Sequence, residues 1–154
     1  MTILSRRSLL GATLVAPALI LLRPDRAMAT EPEIFAKRGV AINGTDPVAY
    51  FTDARPVAGS GVHSVSYKGA DWRFASAANA SAFEADPARF APVFGGYCAY
   101  AASLGYLAPT VPEAWSVHED RLYLNASLRA RELWLRDVPG NIAKGLGNWP
   151  GILG

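Results

Sequence analysis

The sequence predicts an α+β fold, a small antiparallel sheet of two β-hairpins with helices packed on one face. Two stretches, residues 62–74 and 115–125, alternate apolar and polar residues around a short tip, which is typical of a hairpin. Other segments have helix-forming composition and begin at a serine or an Asp-Pro pair, both favoured at helix N-termini. No repeat, low-complexity run or linker divides the chain. We therefore expect one domain over residues 30–154.

The first 29 residues resemble a bacterial twin-arginine export signal. Arg6 and Arg7 stand directly before an uncharged apolar run, residues 8–22. This run is shorter than the about 20 residues that a helix needs to cross a bilayer. Ala27–Ala29 has the small-x-small pattern of a cleavage site. We expect cleavage near Thr30 by the export pathway and a soluble periplasmic product; an uncleaved short membrane anchor is the alternative.

The charge of the remaining chain argues against nucleic acid as a partner. Residues 1–29 hold four arginines and one aspartate, so residues 30–154 hold 11 basic and 12 acidic side chains, a net charge of −1. A domain of that charge lacks the strong positive bias typical of proteins that bind nucleic acid or anionic membranes. The expected partners are the twin-arginine export machinery and a small ligand or metal ion.

The N-terminal part of the domain is predicted to contain a strand, a turn and a capped apolar segment. Val40–Ile42 is apolar and short, as expected of a buried strand, and Asn43-Gly44 is a strong turn signal. Asp46-Pro47 then supplies a cap and a first helical position for residues 48–51. A loop rich in proline, glycine and serine leads to the first hairpin.

The first hairpin is predicted to have Lys68-Gly69 at its tip. The cross-strand pairs that follow are Tyr67 with Ala70, Val65 with Trp72, and His63 with Phe74. Alternation places His63, Val65, Tyr67, Trp72 and Phe74 on the face toward the helices. The other face, with Ser64, Ser66, Asp71 and Arg73, is expected to face water.

Helices are predicted before two adjacent glycines. Ser76 caps a helix that ends at Ala85, and Asp86-Pro87 starts another that reaches Phe94. Gly95-Gly96 ends this second helix, because paired glycines mark a tight turn or the close approach of another chain or ligand.

The C-terminal part repeats the order of hairpin and helices. The second hairpin has Glu119-Asp120 at its tip. Trp115 and Val117 face Leu124 and Leu122 on its apolar side, and His118 and Arg121 lie outside. Ser127 caps a helix to about Asp137, and Pro139 begins a last helix that stops at Trp149.

Several of these stretches together resemble the YHS domain, in particular its exported single-domain members. They are Asp46–Phe51, Trp72–Ser76, Phe83–Phe90, Gly95–Tyr100 and Trp115–Asn125. The resemblance covers residues 39–150 and implies the fold of that family. Metal-associated members of the wider family carry cysteines at the positions of Ala49, Ala75 and Asn79. Since alanine offers no ligand and an amide is a poor ligand for soft metals, the resemblance implies that this thiolate site is missing here.

Cys98 is the sharpest functional candidate. It is the only cysteine in the chain, so it cannot form an internal disulfide. It begins a predicted helix, residues 97–104, where the positive helix end and free N–H groups favour a thiolate. The alternative is a small residue packed against a neighbouring helix, on one face with Ala101, Ala102 and Gly105.

Three tyrosines and two histidines accompany Cys98 as candidates. Tyr50, Tyr97 and Tyr100 would line a pocket with their hydroxyls inward, although packing alone permits the same pattern. His63 is either a second metal ligand or a histidine satisfied in the core. His118, beside a hairpin tip, is expected to be solvated.

Two functions from different classes remain, since the chain has no CxxC, HExxH, phosphate-loop or Gly-x-Ser-x-Gly motif. The first is a non-catalytic module that binds a transition-metal ion or a small ligand around Cys98, with room left by Gly95 and Gly96. The second is a thiol-dependent enzyme or redox protein with Cys98 as nucleophile, His63 as its base and Asp46 as the group that orients the base.

Overall fold

A computed structural model describes residues 30–154, and the export signal predicted for residues 1–29 lies outside this part. The strands are β1 (Ala36–Lys37), β2 (Val40–Ala41), β3 (Ser60–Tyr67), β4 (Ala70–Phe74), β5 (Trp115–His118) and β6 (Arg121–Leu124). The helices are α1 (Ala49–Thr52), α2 (Ala77–Ala85), α3 (Pro87–Phe90), α4 (Ala99–Ser103), α5 (Leu128–Leu135) and α6 (Val138–Asn148). Single 3-10 turns occur at Ile42–Gly44, Val93–Gly96 and Gly151–Leu153. The predicted α+β class is confirmed. No helix in this part has the length and apolar composition needed to span a bilayer.

The register of the first hairpin is confirmed near its tip. Tyr67 pairs with Ala70, and Val65 pairs with Trp72. Trp72 is completely buried, whereas Asp71 on the opposite face is only half-buried. The alternation of apolar and polar residues was therefore sufficient to place each face of β4.

The predicted pair between His63 and Phe74 is wrong. Phe74 pairs with Ser60, because β3 contains a bulge between Ser60 and Ser64. The bulged segment projects into water, and Val62 is 84% exposed. The reason lies in Gly59, which runs so close to the backbone of Arg73 that a Cβ would overlap it. The glycine allows the chain before β3 to lie along the end of β4, and the residues between form the bulge.

The two hairpins do not share a sheet, so the prediction of one antiparallel sheet is also wrong. β1, β2, β4 and β3 form a four-stranded sheet in that order, and β5 with β6 forms a separate two-stranded sheet. β2 pairs with β4 in parallel, with Val40 opposite Asp71. β2 thereby pairs with the β4 edge of the first hairpin, and the second hairpin pairs with neither edge.

β6, the second strand of the second hairpin, is buried on both of its faces. The predicted pairs of Trp115 with Leu124 and Val117 with Leu122 are confirmed. However, Leu122 and Leu124 pack into a first core around β4 and α2, while Tyr123 points into a second core. Val117, predicted on the apolar face, is 39% exposed. The prediction of a single apolar face therefore fails for this hairpin, because β6 lies between two cores.

The predicted helix caps are confirmed, whereas several helix ends are not. Ser76, Asp86 and Ser127 each accept a hydrogen bond from the backbone N–H three residues ahead. The helix from Pro87 ends at Phe90, four residues before the predicted end, because the chain then enters the 3-10 turn Val93–Gly96. In this turn Phe94, Gly95 and Gly96 have positive φ angles, which end any helix.

Candidate functional site

The two glycines before Cys98 are required by the chain's own packing. Gly95 has φ +63°, and a Cβ there would overlap the carbonyl oxygen of Glu33. The carbonyl of Gly95 accepts a hydrogen bond from the N–H of Phe35 at 2.9 Å. A Cβ on Gly96, with φ +89°, would lie 2.5 Å from Cγ2 of Ile42. The close approach that the glycines predict is therefore made by the N-terminal segment of the domain.

Cys98 is buried at the start of α4 and acts as its cap. Its side chain is 1% exposed. The sulfur accepts a hydrogen bond from the N–H of Ala101 at 3.4 Å, and its S–H donates to Oδ1 of Asn125 at 3.5 Å. The same oxygen accepts from the N–H of Tyr100 at 3.0 Å. Two side chains thus satisfy two of the free N–H groups at the start of a five-residue helix, those of Tyr100 and Ala101.

This arrangement limits the chemistry open to Cys98. The S–H is the donor in the contact with Asn125, so a thiolate would lose this hydrogen bond. Asn125 is itself completely buried, and its Nδ2 has no hydrogen-bond partner within residues 30–154. An electrophile would reach the sulfur only after the structure around α4 had opened.

The three candidate tyrosines do not converge on one cavity. The hydroxyl of Tyr50 donates to the carbonyl of Pro112 at 2.9 Å, and burial raises the pKa of Tyr50 far above its ordinary value. The hydroxyl of Tyr97 donates to the carbonyl of Pro32 at 2.9 Å, and burial followed by the charge of Glu31 raises its pKa as well. Tyr100 is half-buried and packs against the second core.

The roles predicted for His63, as the base for Cys98, and for Asp46, as the group that orients this base, require hydrogen bonds among the three side chains. His63 is half-buried in the bulge of β3. No hydrogen bond or ion pair of the described chain joins it to Cys98 or Asp46. In the part that the structure describes, no three His, Cys, Asp or Glu residues gather in a way that could hold a metal ion.

Asp46 is instead the centre of a buried hydrogen-bond cluster. Its carboxylate is 0% exposed. Oδ1 accepts from the N–H groups of Val48 at 2.9 Å and Ala49 at 3.3 Å. Oδ2 accepts from the N–H of Ala75 at 2.9 Å and from Nδ2 of Asn79 at 2.8 Å. Ala49, Ala75 and Asn79, where the resemblance implies cysteines in metal-associated relatives, thus surround this carboxylate.

A groove of about 260 Å³ opens beside the glycine turn, and we call it the cationic groove. Its walls include three aromatic side chains, those of Tyr67, Phe94 and Trp149. Its charged lining residues are Glu33, Lys68 and Arg121. The remaining lining residues are apolar or glycine: Ile34, Ala88, Ala91, Pro92, Val93, Gly95 and Leu146. Of the predicted site residues, Gly95 alone belongs to this lining.

The two cations of the cationic groove come from the tips of the two hairpins, whereas Glu33 precedes β1. Lys68 lies at the turn between β3 and β4, and Arg121 is the first residue of β6. Lys68 donates to the carboxylate of Glu33, and this hydrogen bond raises the pKa of Lys68 above its ordinary value. Arg121 makes no ion pair within residues 30–154.

A second groove, of about 390 Å³, lies over Tyr97 and Phe35. Its one charged lining residue is Glu31, and its other lining residues are Pro32, Ala36, Leu107, Ala108 and Pro109. Because the hydroxyl of Tyr97 is already bonded to Pro32, this groove offers a ligand little beyond apolar surface and one carboxylate.

The sequence placed Lys68 at a tip and Arg121 outside a hairpin, and gave neither a function. The available signal was one cation at each of the two hairpin tips. That both tips line one groove is a consequence of packing between separate sheets, which local patterns do not encode. Trp149, predicted from the sequence as the end of the last helix, is half-buried and lines the cationic groove while packing on the second core.

Comparison with known proteins adds no further assignment. No protein-family model, curated protein or solved structure matches this chain. The resemblance to the YHS domain therefore stays a prediction, carried by the five stretches quoted above.

Proposed function

We propose that the protein is an exported, non-catalytic YHS-like module of the periplasm that binds a small ligand in the cationic groove. The observation that carries this proposal is the combination of three aromatic walls with a cation that has no ion-pair partner in the described chain. Sites for small molecules are concave and mostly apolar, with a few polar groups that fix orientation. The groove has this character, whereas the surroundings of the thiol are closed.

A small organic ligand fits the structure better than a metal ion at Cys98. The groups around the sulfur are a backbone N–H and the amide oxygen of Asn125. An N–H cannot coordinate a metal, and an amide oxygen is a hard ligand that does not complement a thiolate. The role left for Cys98 is to hold α4 behind the turn that forms part of the groove wall.

Blocking the groove tests the proposal. Ala88 is an exposed residue of α3 that lines the groove, and Ala85 is an exposed residue at the end of α2 outside it. We expect Ala88→Phe to abolish the binding of small organic fragments, measured as shifts of the Trp149 indole N–H signal in NMR titrations. Ala85→Phe adds the same side chain outside the groove and should leave binding unchanged. Fragment binding that survives Ala88→Phe would contradict the proposal.

The thiol-enzyme alternative makes the opposite prediction for Cys98. Cys98→Ser replaces the nucleophile by a hydroxyl that still caps a helix. If the cationic groove is the site, this variant should bind fragments with unchanged affinity. Loss of ligand binding or of any turnover on Cys98→Ser, with the fold retained, would favour the thiol enzyme.

Export is the second part of the proposal and has its own test. It rests on Arg6, Arg7 and the apolar run that follows them. Replacing both arginines with lysine should leave the full-length precursor in the cytoplasm, as judged by fractionation of expressing cells. Continued export of this double variant would point to a different class of signal.

A further inference from the structure

The charges around the cationic groove leave one cation without a partner. Glu33 and Lys68 neutralise each other by a direct ion pair. Asp120, the acidic residue next to Arg121 in sequence, pairs with Arg89 at 3.4 Å. Glu119, the other acid of that tip, lies 3.9 Å from His118. Arg121 is therefore the one charged lining residue of the groove without an ion pair in residues 30–154.

A guanidinium in this position selects the chemistry of its ligand. Arginine presents planar, paired N–H donors that match the two oxygens of a carboxylate. A single cation balances a single negative charge. The charged lining residues Glu33, Lys68 and Arg121 sum to a single positive charge, so a dianion such as a phosphate monoester would leave one negative charge unbalanced.

The rest of the lining requires an apolar body. Trp149 and Phe94 form one wall, and Leu146 beside them is 55% exposed. The groove volume of about 260 Å³ is at or below the small end of the range of roughly 300–1,000 Å³ for ligand sites, so the ligand must be small.

We infer that the cationic groove binds a small monocarboxylate with an aromatic or branched apolar body, the carboxylate held by Arg121 and the body against Trp149. This inference rests on the proposed function and adds the class of ligand to it. The contact with Arg121 supplies selectivity for charge, and the apolar wall supplies the burial that a small anion alone would lack.

Matched pairs of acids and amides test the inference. We would titrate the purified protein with phenylacetate and phenylacetamide, and with isovalerate and isovaleramide, following the Trp149 indole N–H signal. Within each pair the apolar body is nearly constant and the charge changes. We expect each carboxylate to bind about tenfold more tightly than its amide at low salt, with the difference reduced as salt screens the exposed pair.

Two arginine variants assign this difference to one side chain. Arg121→Gln should bring the affinity for each carboxylate to that of its amide and leave the amides unchanged. Arg38→Gln removes an exposed arginine that lies outside the groove and forms no ion pair in residues 30–154, and should change neither affinity. Arg121→Gln without effect on the carboxylates would overturn the inference.

The remaining outcomes separate this inference from the proposed function. Equal binding of acids and amides at the groove would keep the binding function and overturn the carboxylate class. Tighter binding of phenyl phosphate than of phenylacetate would overturn the preference for a single charge. No shift of Trp149 with any of these compounds would overturn both the inference and the proposed function.

Discussion

Asp46 and Cys98 perform the same local task in two regions of the molecule, with different strength. Each is buried at the start of a short helix, α1 with four residues and α4 with five. Asp46 accepts four hydrogen bonds at 2.8–3.3 Å, two of them from residues near α2. Cys98 accepts one at 3.4 Å and donates one to Asn125.

The difference indicates which contacts stabilise the helix in each region. Helices this short do not form by themselves in water, so each needs an anchor outside its own sequence. Around Asp46 the anchor is the carboxylate itself, each oxygen of which accepts two hydrogen bonds. Around Cys98 the polar contacts are neutral and Nδ2 of Asn125 has no partner in the described chain, so shape must contribute more. The glycine turn supplies that shape.

Removing the Asp46 carboxylate should lower the free energy of unfolding more than any other change proposed here. We expect Asp46→Ala to lower the free energy of unfolding by about 4 kcal/mol, because it leaves buried N–H donors without an acceptor. Urea denaturation followed by circular dichroism measures this change. Asp53→Ala, an exposed residue at the other end of α1, is the control and should cost less than about 0.5 kcal/mol. Equal effects of the two variants would mean that the Asp46 cluster does not hold this region.

The corresponding change in the second region is at Gly95. Gly95→Ala should cost about 3 kcal/mol, because the new methyl group overlaps the carbonyl of Glu33 and the backbone cannot move without losing the bond to Phe35. Gly39→Ala is a matched control, since Gly39 also has a positive φ but no atom within 4 Å of its Cβ position. It should show only the cost of the backbone conformation, about 1 kcal/mol. If both glycines respond alike, close packing does not contribute to the turn.

The same two regions show what the sequence could predict. The Ser76 cap and the register of Tyr67 with Ala70 follow from local preference and alternation, and the structure confirms them. Asp46 accepts from the N–H groups of Val48 and Ala49, although α1 begins at Ala49 and Val48 is its N-cap residue. The bulge of β3 could not be predicted, because it depends on the approach of Gly59 to a strand that follows later in the chain. Strict alternation predicted His63 opposite Phe74, the position that Ser60 occupies in the structure.

Around the candidate site, composition predicted a close approach but not its partner. Gly95 and Gly96 do face close neighbours, yet those neighbours are Glu33 and Ile42 of the same chain. The cationic groove depends on β5 and β6 forming a second sheet, and the pairing of strands from distant segments leaves no local pattern. The exposed position predicted for Arg121 is confirmed, but its place in the lining of a groove was not predicted.

Alkaline pH should separate the two regions by their buried tyrosines. Burial raises the pKa of Tyr50, and to a smaller extent that of Tyr97. The unfolded tyrosine ionises near pH 10 while the folded one stays protonated, so the folded state holds more protons above that pH. The stabilisation is fully present below pH 10 and is lost as pH rises, by up to about 1.4 kcal/mol per pH unit for each such tyrosine.

Urea denaturation between pH 9 and 11.5 measures this loss. Tyr50→Phe should make the fall in stability with pH shallower, although at neutral pH it costs about 1 kcal/mol through the lost bond to Pro112. Tyr97→Phe should have a smaller effect on the slope. Tyr106→Phe, at a half-exposed position, should have none. An unchanged slope in Tyr50→Phe would contradict the burial of its hydroxyl.

The smallest effect is expected at Cys98 itself. Cys98→Ala removes one weak cap and one S–H donor and should cost about 1 kcal/mol. Cys98→Ser keeps a donor and an acceptor of similar shape and should cost less. The order Asp46, Gly95, Cys98 would then place the stability of the second region in its turn and not in its thiol.

The rate of alkylation of Cys98 tests whether its thiol is accessible in the native protein. Cys98 is 1% exposed, and its sulfur is hydrogen-bonded to Ala101 and Asn125. A thiol reagent should therefore react only with molecules in which α4 has opened. The rate should rise with urea in proportion to the open fraction, and Gly95→Ala should raise it in the absence of urea. Asp46→Ala should raise it only as far as it promotes unfolding of the whole domain. Rapid alkylation of the native protein near pH 6, insensitive to urea and to Gly95→Ala, would mean that the thiol is accessible and activated, and would return Cys98 to the centre of the function.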